Sequence, residues 1–117
     1  MTLAGRTFRA IANSANGSIN TDTTLSFTEE KDGTVFGVYS GGTIRHGSVV
    51  ANWRTATGLE MLYHCVTVTG ELRAGHALGV IAEDPIDHRP HLYLDWQWLT
   101  GERSKGSSEW VLDVQEK

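Results

Sequence analysis

The segment Tyr39-Ser-Gly-Gly-Thr-Ile-Arg-His-Gly-Ser-Val-Val-Ala-Asn-Trp53 constrains the fold of this chain more than any other. It reads as the end of one strand, a two-residue Gly41-Gly42 turn, and a second strand running from Thr43 to Trp53. A two-residue hairpin turn needs positive φ angles at its centre, which glycine supplies without a steric penalty. Strands joined so tightly must be antiparallel, because a parallel pair needs a crossover of a dozen residues or more. Similar strand-turn-strand units recur on both sides, and the whole chain reads as a β-meander.

The expected strands cover residues 7–13, 23–30, 34–40, 43–53, 59–68, 72–82, 91–100 and 107–115. Between them lie turn signals: the 13–17 cluster, Lys31-Asp32-Gly33, 55–58, Thr69-Gly70, and the polar stretch 101–106. Residues 83–90 carry two prolines and three carboxylates, which stop any strand there. Eight sequential antiparallel strands leave two exposed edges unless the sheet closes on itself. The expected fold is therefore all-β: a closed antiparallel up-and-down barrel of about eight strands, with no long helix. An open sandwich is the alternative.

At 117 residues the chain is expected to form one domain spanning residues 1–117. Its ten Lys and Arg are scattered and the net charge is -4, which argues against a nucleic-acid partner. No apolar run approaches the ~20 residues of a membrane span, and the first residues lack the layout of a signal peptide. A cytoplasmic protein is the expectation. Cys65 is the only cysteine, which rules out an internal disulfide, and its apolar surroundings suit a buried, inert thiol.

Several spacings resemble a group of small bacterial proteins that carry the label N-acetylglutamate synthase. The resemblance runs through Gly5–Phe8, Asn13 with Asn16-Gly17, Tyr39-Ser-Gly-Gly-Thr-Ile with Gly47, and Tyr63-His64. It continues in Trp96-Gln-Trp98, Thr100-Gly101, and Gly106-x-Ser108 before Trp110. What it implies is a barrel family of the calycin or streptavidin kind. An acetyl-CoA loop would need glycines opening a helix, where backbone amides can hold the pyrophosphate. The nearest string, Arg73-Ala-Gly75-His-Ala-Leu-Gly79, has the wrong spacing and continues as strand. Synthase activity is therefore not expected, nor is any cofactor.

Inside a closed barrel, alternate residues converge on one interior. Trp96 and Trp98 share a face with Leu92 and Leu94, and Tyr63 shares one with Leu59 and Met61. His76 shares the apolar face of Leu72, Leu78 and Val80, taken here as the inward one. The expected ligand-binding set is Tyr39, Tyr63, His76, Trp96 and Trp98, with Arg45 a possible anion anchor beside the hairpin. A bulge, for which Gly47, Gly75 and Gly79 are candidates, would reverse every face beyond it. Asp84, Asp87, His88 and His91 form a His-x-x-His pattern among carboxylates, weighed against chance clustering in a polar loop, and no metal is expected.

These features favour a barrel that binds a small molecule in an aromatic-lined interior. The alternative is a cyclase or isomerase that needs no cofactor and folds a flexible apolar substrate by orientation and exclusion of water. Both faces of residues 59–68 carry large apolar side chains, and only one face of a barrel strand can point inward. A homodimer covering the outer face is the expectation.

Overall fold

A computed structural model of the chain describes residues 2–13, 22–101 and 103–113. Eight strands follow one another: β1 (Thr7–Asn13), β2 (Thr24–Lys31), β3 (Thr34–Gly41), β4 (Ile44–Trp53), β5 (Gly58–Thr67), β6 (Leu72–Glu83), β7 (Pro90–Trp98) and β8 (Lys105–Leu112). Each pairs antiparallel with the next, and β8 pairs with β1, closing the barrel. Closure removes both sheet edges, the liability expected of an open meander. The expected strand ends at residues 114 and 115 and the turn residues 14–17 lie outside the described residues. Among the described residues no helix is long and apolar enough to cross a membrane.

The turns form where glycine or Asp-Gly stands. Gly41 and Gly42 have φ of 106° and 62°, and Asp32 and Gly33 have 55° and 80°. Asp32-Gly33 is a primed two-residue turn, whose twist matches that of the strands it joins. The other turn falls one residue later than expected: Gly41 still pairs with Ile44, so Gly42-Thr43 makes the turn, with positive φ at Gly42, while Gly41 stands at the irregular end of β3.

Burial alternates along the strands except near the bulges and at His91 and Val111, which are buried on the outer face. Phe8, Leu25, Phe27, Val35, Val49, Leu59, Met61, Leu92, Leu94, Trp96, Trp98 and Trp110 fill the interior. One end is plugged by the Glu30 carboxylate, which accepts the Leu3 amide at 2.9 Å and the Trp53 indole N–H at 3.3 Å. Leu3 is fully buried there.

On two points the barrel departs from sequence expectation. Residues skipped in the pairing are Ile11, Thr28, Ser40 and Arg45, one in each of the first four strands. The glycines expected to bulge are instead regularly paired. Gly47 lies opposite Tyr39 and Gly75 opposite Tyr63. A Cβ on Gly47 would come within 2.5 Å of the Tyr39 ring, and one on Gly75 would collide with the Tyr63 ring. These glycines make room for tyrosines lying across the neighbouring strand.

Candidate ligand-binding cavity

The end of the barrel opposite the Glu30 plug is where β1, β3, β5 and β7 finish. Asn13, Tyr39, Tyr63 and Trp98 stand near those strand ends and line an interior cavity of about 40 Å³. Leu25, Val49, Met61, Leu94, Trp96 and Trp110 complete the wall, which presents only apolar atoms. By this measure a single water needs ~10–15 Å³, so the space suits a compact group of a few heavy atoms.

The aromatic side chains pack edge to face in a chain. Tyr39 meets Tyr63 with ring centroids 6.3 Å apart, and Tyr63 meets Trp98 at 5.4 Å. Trp96 and Trp98 are tilted at 6.2 Å. Edge-to-face contact sets the positive rim of one ring against the negative face of the next. Arg73 extends this stack, with its guanidinium 4.8 Å from the Trp98 ring and an ion pair to Glu71 at 3.3 Å.

The polar ends of these rings are unequally served. The Trp96 indole N–H donates to the Asn13 side-chain oxygen at 3.2 Å, and Trp110 donates to the Ser108 hydroxyl at 2.9 Å. The Tyr39 hydroxyl and the Trp98 indole N–H are buried, and neither has a hydrogen-bond partner among the described residues. The Cys65 thiol lies beside the Tyr39 hydroxyl without making a hydrogen bond of good geometry. Burial, with Cys65 a smaller influence, pushes both the Tyr39 and Tyr63 phenols well above their ordinary pKa. Burial also raises the Cys65 thiol, more than Tyr39 and Arg73 lower it. All three groups therefore stay protonated at neutral pH.

Four of the six residues expected from sequence meet at this cavity: Tyr39, Tyr63, Trp96 and Trp98. Two do not. His76 lies on the outer face, where its Nε2 donates to the Glu60 carboxylate at 2.8 Å and Arg54 pairs with the same group. The inward face of β6 is Gly75, Ala77, Gly79 and Ile81 instead, because Tyr63 and Leu94 project from the flanking strands into the space those small residues leave. Arg45 is exposed and donates to the Val68 carbonyl at 3.1 Å. It sits at the β4 bulge, so Ile44 and Gly47 point inward while Arg45 and His46 both stay outside.

Asn13, Met61, Trp110 and Arg73 escaped notice as site residues. Parity places Met61 with Tyr63 and Trp110 with Leu112, but which end of the barrel each reaches depends on strand register. Of the loop set, Asp84, Asp87 and His91 come within 4.8 Å of one another, far from the cavity, while His88 turns out toward Glu83 at 3.6 Å. Glu109 of β8 joins them, and its carboxylate and that of Asp87 take the two ring nitrogens of His91. Both nitrogens must then donate, so the ring has no lone pair to offer a metal.

A closed eight-stranded antiparallel barrel with an aromatic cavity at one end defines the class of protein. Residues 1–111 match the family described as avidin-like protein, and the chain belongs to that family. No match emerged among curated proteins or among solved structures.

Proposed function

We propose that this barrel binds a small, compact and largely apolar organic molecule between Tyr39, Tyr63, Trp96 and Trp98. The observation that carries the reading is the cavity itself, walled by three indoles and two phenols. Two buried donors lie behind the apolar wall with no partner among the described residues, the Tyr39 hydroxyl and the Trp98 N–H, and a ligand with one acceptor would give one of them a partner on turning to the cavity. Membership of the avidin-like family fits a barrel that holds a small molecule. Groups held protonated by burial at Tyr39, Tyr63 and Cys65 suit binding better than acid–base chemistry, which works best with a pKa near the operating pH.

Native mass spectrometry of protein purified from its own host tests the reading. A co-purified small molecule, lost in Trp98→Phe protein that keeps its thermal transition, is the expected result. Retention of the same molecule by Trp98→Phe, Trp96→Phe and Tyr63→Leu proteins alike would place it elsewhere and refute the proposal.

The homodimer belongs to the same proposal. Phe36, Val50 and Leu62 are cross-strand neighbours on the outer face, and Leu78 and Val80 follow on β6. Each is between 41% and 56% exposed. The paired His76 and Glu60 interleave with these side chains between β5 and β6; so many exposed apolar groups on one face are uncommon on a monomer, and a second copy of the chain would cover them.

A further inference from the structure

His91 points out of the barrel, yet it is only 4% exposed. Loop residues 84–90 fold back over the outer face of β7 and β8 and cover it together with Val111, its cross-strand partner. Its Nδ1 lies 2.7 Å from Glu109 Oε2 on β8, and its Nε2 lies 2.8 Å from Asp87 Oδ2 in the loop. Ionised carboxylates only accept hydrogen bonds, so a ring held at both nitrogens must be an imidazolium. We propose that His91 is a protonation latch: charged, it pins loop 84–90 to the closing strand β8, and loss of its proton releases the loop.

The charged and titratable groups around the ring come from the loop and from strands β6, β7 and β8. From the loop, Asp87 bonds directly and Asp84 Oδ2 stands 3.9 Å from Nδ1. Also from the loop, the Arg89 guanidinium donates to the Leu112 carbonyl at the end of β8. Glu83 and His88 pair with each other in the exposed outer layer. From β8 comes Glu109, and from β7 itself Tyr93, stacked on the imidazole with centroids 6.1 Å apart. Three carboxylates thus surround one imidazole, and Arg89 is occupied with β8.

The loop is built to present this carboxylate. Asp84 Oδ1 accepts the amides of Ile86 and Asp87 at 2.7 and 3.2 Å, and Asp87 Oδ1 accepts the Arg89 amide at 2.9 Å. Short Asx turns of this kind fix the direction of the side chain that closes them. Releasing Asp87 from His91 leaves the Arg89 contact to Leu112 as the loop's tie to β8, the strand that seals the barrel against β1.

The pH dependence has a definite sign. Burial alone would depress the His91 pKa, but hydrogen bonds to Asp87 and Glu109 outweigh it, and the net shift is upward from 6.5. A raised pKa stabilises the latched state fully below 6.5 and loses that contribution as pH climbs through the raised value. Asp87 shifts downward from 3.8, first through its bond to His91. Its contribution is present above 3.8 and lost as pH falls through the lowered value. The latch therefore holds below the raised His91 value and opens as pH climbs through it.

The test is a long-range nitrogen NMR titration of the His91 ring in the full chain, with amide exchange at Ile86, Asp87 and His88 corrected for intrinsic rate. Both ring nitrogens should read as imidazolium below a midpoint that lies above 6.5. Protection of the loop amides should fall through that same midpoint, as linkage between His91 protonation and loop closure requires. Glu109→Gln should lower the midpoint and carry loop opening down with it, and Asp87→Asn should abolish the coupling while the barrel stays folded. A midpoint at or below 6.5, or loop amides indifferent to the His91 titration, would overturn the proposal. So would protection that vanishes with a chelator and returns with zinc, since a metal and not a proton would then hold the loop.

Discussion

Tyr39 is the residue on which the account of the cavity is most exposed. Its hydroxyl is buried, protonated and without a partner among the described residues. An unsatisfied buried polar group carries a desolvation penalty of ~1–3 kcal/mol. Tyr39→Phe removes that group and keeps the ring over Gly47, so urea denaturation should find stability unchanged or raised by about 1 kcal/mol. If the hydroxyl serves the ligand, the same variant should bind about tenfold more weakly. A stability loss of about 2 kcal/mol or more would mean that the hydroxyl has a structural partner, and its role in binding would fall. Trp98→Phe makes the complementary case: the edge contact with Tyr63 shrinks and the unpartnered N–H disappears together.

At the scale of strands, the pairs Tyr39–Gly47 and Tyr63–Gly75 explain both why the barrel closes tightly and why part of the site was hard to read. Gly75→Ala should destabilise the protein by ~1–3 kcal/mol, because the added carbon meets the Tyr63 ring and not open space. Tyr63→Leu in the same chain should recover part of that loss, a coupling expected of residues in contact and measurable by chemical denaturation of the four variants. If the double variant is simply the sum of the singles, the glycine is not there for the ring. The eight strands were legible because glycine and Asp-Gly mark the turns between most of them and large apolar residues alternate along β7. The inward face of β6 was not legible, since Leu72, Leu78 and Val80 make its outer face look like a core face while Gly75 and Gly79 hide the true one. Arg45 was misplaced for a local reason, the bulge that keeps it and His46 on one side. Glu109 and His91 meet only through the tertiary pairing of β7 with β8, which no local pattern in either strand announces.

The molecule as a whole has three distinct regions: a closed end at Glu30, a cavity at the far end, and an apolar outer strip on β3 to β6. Leu62→Lys places a charge in the centre of that strip without touching the interior. Sedimentation equilibrium at tens of micromolar should show a dimer for the parent chain and a monomer for the variant, at an order of magnitude typical of modest affinities. A parent chain that stays monomeric would remove the dimer and leave the cavity untouched. The cavity is tested most directly by the four indole N–H resonances in a proton–nitrogen correlation spectrum titrated with acetone, a compact molecule of a few heavy atoms with one acceptor. Trp53 lies at the Glu30 end with its N–H already donated, and so serves as an internal control. Saturable shifts are expected at Trp96 and Trp98, the largest at Trp98, whose N–H has a partner to gain, and none at Trp53. Shifts that do not saturate, or that are as large at Trp53 as at Trp98, would contradict a binding site inside the barrel.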